Sequence, residues 1–154
     1  MDEINKQKMS VGMISILTLV VWGILSLLIA LRNPIIQLGP ILLTGVGAIM
    51  INLIIVVILG TIFFGIMKGF IWARKLAIGW YIVSMVLVLI NLLSLMANKT
   101  MYNEYYNKIL PPETAALMNS STSIMGLVMA LVFRWIIEII IVVYLIKKKD
   151  FFTN

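Results

Sequence analysis

The sequence predicts an all-α polytopic membrane protein, a bundle of four transmembrane helices with both termini on the cytoplasmic side. Three observations carry this expectation. Hydrophobic residues make up 62% of the 154-residue chain and charged residues only 12%, where a soluble domain has about half and about a quarter. Mean hydropathy is +1.12. Four stretches reach the roughly 20 mostly apolar residues that cross about 30 Å of hydrocarbon.

The first stretch is Val11 to Leu31, closed by Arg32 and Pro34. Its apolar core exceeds the h-region of a signal peptide, and Ala30-Leu31-Arg32-Asn33 offers no small-x-small cleavage site, so it reads as a retained span. The second lies within Ile41 to Met67, with Pro40 suited to a first helical turn. It is longer than a span needs, so it either tilts or begins late, near Gly45 or Gly47. The third is Leu76 to Met96 and the fourth Ser123 to Ile146. All four are expected to be helices, because lipid offers the backbone no hydrogen-bond partner. No internal repeat or linker divides the chain, so residues 1–154 form a single membrane domain.

Orientation follows from Lys and Arg placement. Lys6, Lys8, Lys68, Arg74, Lys75, Lys147, Lys148 and Lys149 fall on one side, and Arg32, Lys99 and Lys108 on the other. The richer side is expected to be cytoplasmic. The net charge of +6 is thus a topology signal rather than a nucleic-acid surface. Lys147–Lys149 read as a stop-transfer flank touching anionic lipid. Nine Lys to three Arg suits an AT-rich, prokaryotic genome and hence a plasma-membrane location.

The outer segment from Arg32 to Gly39 reads as a tight Pro/Gly turn, and Lys68 to Lys75 as a short cytoplasmic loop joining antiparallel neighbours. Trp72, Arg74 and Lys75 are expected there as lipid-headgroup anchors, together with Lys147, Lys148 and Lys149. The loop Lys68-Gly69-Phe70-Ile71-Trp72-Ala73-Arg74 resembles the cytoplasmic Lys-Gly-x-x-Trp-Ala-Arg loop of small, uncharacterised four-helix membrane proteins of prokaryotes. The resemblance covers about ten residues and the span pattern, and implies no activity, only a small multispan architecture.

Residues 97–122 form the one sizeable segment outside the spans. Met101, Tyr102, Tyr105, Tyr106, Ile109 and Leu110 recur at helical spacing, opposite Asn103, Glu104, Asn107 and Lys108, and Pro111-Pro112 ends the pattern. A short amphipathic helix over 101–110 follows. Its Tyr-rich stripe suits either the membrane interface or a protein partner.

Inside the spans, polar and small residues mark the bundle interior. Ser15, Thr18, Trp22 and Ser26 share one face of the first span, and Tyr81, Ser84, Asn91 and Ser94 one face of the third. Arg134 and Glu138 are ionisable residues near the middle of the fourth span, one turn apart and able to pair. Counted from the outer ends, Trp22, Asn52 and Ser84 fall level with Arg134, and Thr18 and Tyr81 level with Glu138. A polar cluster of Arg134, Glu138, Asn52, Ser84, Tyr81, Thr18 and Trp22 is expected. Three roles fit it: an ion pair that sets helix rotation and register, ligand or anion binding through Arg134, or ion-coupled transport.

Composition narrows the chemistry. The chain has no Cys and no His, which removes thiolate and imidazole metal ligands, disulfides and histidine bases. No Lys and no second acid lies in a span beside Glu138, so neither a Ser-Lys nor a paired-acid hydrolase site is expected. No catalytic residue, metal or cofactor is therefore anticipated. The expected function is non-catalytic: contact with the lipid bilayer and with a membrane-protein partner or a second copy, as an accessory or regulatory subunit or an immunity-type protein. The alternative is a small-solute or ion transporter or channel using Arg134 and Glu138.

Overall fold

The computed structural model describes residues 9–109, 114 and 121–152. Lys6, Lys8 and Leu110 lie outside the described residues. The chain is mostly helical. Helix α1 spans Val11–Ala30, α2 Val46–Met67, α3 Ile71–Ala97, α4 Lys99–Ile109 and α5 Ser121–Lys147, and a 3-10 turn follows at Lys149–Phe151. Among the described residues, four helical segments are long and apolar enough to cross a membrane: Val11–Ala30, Val46–Met67, Ile71–Ala97 and, within α5, Val128–Lys147.

The all-α expectation fails in one place. Strands β1 (Ile35–Leu38) and β2 (Ile41–Thr44) form an antiparallel hairpin in the register Ile35 with Thr44 and Leu38 with Ile41. The chain reverses at Gly39-Pro40, and Gly45 closes the ladder by donating its N–H to Pro34 O. Ile41 therefore does not start the second span, and Pro40 sits in a turn rather than on a helix. A short apolar run cannot be told from buried helix by periodicity; here Pro34 and Pro40 bracket a β-branched run and decide against helix. The late start of α2, at Val46, follows.

The second correction concerns Lys68 to Lys75. The connection is only Lys68-Gly69-Phe70, and Trp72, Arg74 and Lys75 stand on the first turns of α3. Gly69, with φ of 71°, donates its N–H to Ile66 O, and Phe70 donates to Gly65 O, both at 3.0 Å. This double bond pattern stops α2 with a left-handed residue that favours glycine. Phe70 O then accepts from Ala73 N, so α3 begins at once. Gly65 makes the sharp reversal possible, because a Cβ there would overlap Ala73.

Side-chain contacts sort the molecule into two ends. At the terminal end, Ser10 Oγ meets the Tyr144 hydroxyl, Phe152 is buried in the core, and the Arg74 guanidinium lies 6.0 Å from the Phe152 ring. At the hairpin end, β1 is held by α3, and Asn33 Nδ2 donates to Lys108 O of α4. The main core fills the terminal half. It is built from Met13, Ile16, Leu17 and Val20 of α1, Leu59, Ile62 and Ile66 of α2, Ala73, Ala77 and Tyr81 of α3, and Ile141 and Leu145 of α5, with Phe152. The outer faces stay apolar: Val57, Phe64, Ile82 and Ile139 are all exposed.

Candidate functional site

In the hairpin half, space replaces the core. A cavity of about 690 Å³ is lined by α1, α2, α3, α5 and β1. Helices α1 and α5 meet at the terminal end, where Gly12 packs on the Tyr144 ring. Further along they face each other only across this cavity, with Leu19, Trp22 and Ser26 on one wall and Phe133, Arg134 and Ile137 on the other. Trp22 is 69% and Phe133 66% exposed, so the mouth opens sideways through the α1–α5 seam. A smaller cavity of about 210 Å³ continues the seam toward the terminal end and shares Leu19, Ile137 and Ile141 with the larger one.

The polar floor is a closed set of three side chains. Arg134 and Glu138 sit one turn apart on α5, and Arg134 Nε donates to Glu138 Oε1 at 3.0 Å. Ser84 of α3 donates its hydroxyl to the same oxygen at 2.9 Å and accepts from Arg134 Nη2 at 2.8 Å. The pair is unequal: the Arg134 side chain is 51% exposed and that of Glu138 only 7%. Glu138 Oε2 is buried with no hydrogen-bond partner among the described residues. Buried charge is tolerated because the pair is neutral and bonded.

Of the residues expected in this cluster, Arg134, Glu138, Ser84, Tyr81 and Trp22 line the cavity. Tyr81 is one turn from Ser84 on α3 and is buried, and Trp22 stands at the mouth. Two do not belong. Thr18 is exposed and donates to Ile14 O of its own helix at 3.0 Å. Ser15 and Ser26 do the same to Val11 O and Trp22 O. A hydroxyl satisfied by the carbonyl four residues back needs no polar interior, so the polar stripe of α1 does not mark the packed face, which is Met13, Ile16, Leu17 and Val20. Asn52 is buried at 3% exposure but lies outside the cavity, and its Nδ2 has no partner among the described residues.

Sequence reasoning missed the lid. Gln37 Nε2 donates to Gly39 O at 3.0 Å and to Asn91 O at 2.9 Å. Asn91 Nδ2 returns a bond to Gln37 O at 3.0 Å, and Asn91 Oδ1 accepts from Gly39 N at 2.6 Å. These bonds clamp the hairpin onto α3 and close one end of the cavity. The signal was available in Pro34 and Gly39-Pro40 flanking a β-branched run.

The remaining expected sites are dispersed. Trp72, Arg74, Lys75 and Lys147, Lys148 and Lys149 all lie at the terminal end. Trp72 is 45% exposed with its ring 5.7 Å from that of Phe70, and the three C-terminal lysines are exposed. Arg74 is only half-exposed, its Nε buried without a partner among the described residues. On α4, Tyr105 is half-buried, and burial pushes its phenol above the ordinary value. Tyr102, Tyr106 and Ile109 belong to the same helix. Among the described residues no three His, Cys, Asp or Glu side chains converge as a metal site.

Comparison with known protein families, characterised proteins and solved structures finds no match to the chain.

Proposed function

We propose that the chain is a multi-pass protein of the cytoplasmic membrane of a prokaryote that works without catalysis, by seating another membrane component in the α1–α5 seam. An accessory or regulatory subunit, or an immunity-type protein, acts in this way. The observation that carries the reading is the seam itself. It is open over the hairpin half, apolar at its walls and polar at its floor, which is the make-up of a binding site rather than a packing flaw. The apolar outer faces of all four long helices support insertion in lipid. The concentration of Lys68, Arg74, Lys75 and Lys147–Lys149 at the terminal end supports an orientation with that end in the cytoplasm.

A photo-crosslinking residue at Phe133, at the mouth, tests the reading in intact cells against one at Val57, exposed on α2. A discrete adduct from Phe133 and only diffuse lipid labelling from Val57 is expected. Equal labelling at both sites overturns it. Orientation is checked by single cysteines at Arg74 and Asn107: an impermeant thiol reagent is expected to reach only the latter, and the reverse pattern inverts the topology.

Small-solute or ion transport is the second reading, favoured by the unpartnered Glu138 Oε2 in the middle of the bundle. Glu138→Gln then abolishes activity in a protein that still folds. Seating by contact predicts a mild effect of that change and a strong one from blocking the seam.

A further inference from the structure

We infer that the component seated in the hairpin half of the seam is an uncharged lipid whose headgroup carries a hydroxyl or carbonyl, held at Arg134 and Tyr81. The inference rests on the seam being the working site. Three observations choose this occupant.

The hairpin, clamped by Gln37 and Asn91, bars the end through which a spanning helix would pass. The cavity of about 690 Å³ falls within the about 300–1,000 Å³ of small-molecule sites. An acyl or prenyl chain has a way out along the smaller cavity beside Ile16 and Ile140.

Charge excludes an ionic headgroup. Arg134 and Glu138 already neutralise each other, and Ser84 bonds both. A phosphate or an ammonium would add an uncompensated charge beside this pair. Arg134 also lies within the Val128–Lys147 span, so that charge would have to leave the interface for the hydrocarbon. Uncharged lipids face no such barrier.

Hydrogen bonding selects among uncharged lipids. Arg134 spends Nε on Glu138 and Nη2 on Ser84. Neither bond uses its Nη1, and the side chain is half exposed at the mouth. Tyr81 lines the same space and offers a hydroxyl that donates or accepts. An alkane offers neither group a hydrogen-bond partner, whereas a hydroxyl or carbonyl oxygen accepts from Arg134.

The test uses the full chain in phosphatidylcholine nanodiscs. Quenching of tryptophan fluorescence by brominated dioleoylglycerol is compared with brominated phosphatidylglycerol and a brominated dialkyldimethylammonium, because Trp22 and Trp80 line the cavity. Half-quenching is expected at about threefold to tenfold lower mole fraction for dioleoylglycerol, the worth of one headgroup hydrogen bond. The preference is expected to vanish in Tyr81→Phe and in the double variant Arg134→Met, Glu138→Gln, which keeps the floor neutral. Ala130→Phe, at the mouth, removes seam quenching by every lipid. If a charged lipid quenches as well as dioleoylglycerol and Ala130→Phe abolishes both, the headgroup inference falls while the seam reading stands. The same holds if excess quenching is absent but a crosslinker at Phe133 captures a protein of fixed mass. If no lipid quenches beyond bulk, Ala130→Phe changes nothing and Phe133 captures nothing, both are overturned.

Discussion

Gln37 and Asn91 each hydrogen-bond the other's backbone carbonyl, Gln37 Nε2 to Asn91 O at 2.9 Å and Asn91 Nδ2 to Gln37 O at 3.0 Å. The exchange ties a four-residue strand to a long helix and is what keeps one end of the cavity shut. Asn91→Leu removes the side-chain bonds to Gln37 O and Gly39 N and takes that partner from two backbone groups of the hairpin. The expected loss is about 2–4 kcal/mol, read from unfolding of the detergent-solubilised protein. Gln37→Leu removes a different pair of bonds, to Gly39 O and Asn91 O, so the double variant is expected to lose about the sum of the two single losses.

Arg134 and Glu138 predict an asymmetric cycle. Arg134→Met leaves a carboxylate buried without its cation, at about 3–5 kcal/mol. Glu138→Gln leaves a guanidinium that is half exposed and still bonded to Ser84, so about 1–2 kcal/mol is expected. The double variant should be more stable than Arg134→Met alone. Simple additivity in the double-mutant cycle would mean that the pair contributes no coupling.

Gly65 is expected to reject even one methyl. A Cβ at this position collides with the Ala73 side chain and comes within 2.8 Å of Trp72 Cη2. Overpacking costs about 1–3 kcal/mol, and the better helix propensity of Ala returns about 1 kcal/mol, so Gly65→Ala is expected to lose up to about 2 kcal/mol in the same unfolding measurement. Ala73→Gly in the Gly65→Ala background should restore part of the loss.

Tyr105 gives a pH signature. Burial raises its phenol above the ordinary value of 10.0, because the buried site disfavours the phenolate. Above about pH 10 the unfolded chain ionises Tyr105 while the folded chain does not, so the unfolded state holds fewer protons and stability falls as pH rises. The contribution is complete below about pH 10 and is lost through the raised value. Tyrosinate absorbance of the wild type minus Tyr105→Phe should give a midpoint above 10. A midpoint at the ordinary value would place this phenol in water.

Four long apolar helices and the pairing of Arg134 with Glu138 were legible in the sequence because both are properties of single segments. Hydrocarbon thickness sets a minimum length and an apolar content, and two side chains four residues apart meet on any helix. The packed face of α1 was not legible. Ser15, Thr18 and Ser26 satisfy themselves on their own backbone, so polar spacing there carried no information about neighbours. Of the hairpin, Pro34 and Gly39-Pro40 marked the break in the sequence, but its seat on α3 depends on Asn91, far along the chain. Ser84 joined Arg134 and Glu138, while Asn52, counted to a similar depth, did not. Depth along a helix is written in residue number, but rotation about its axis and the gap between α1 and α5 are set by how four surfaces fit together.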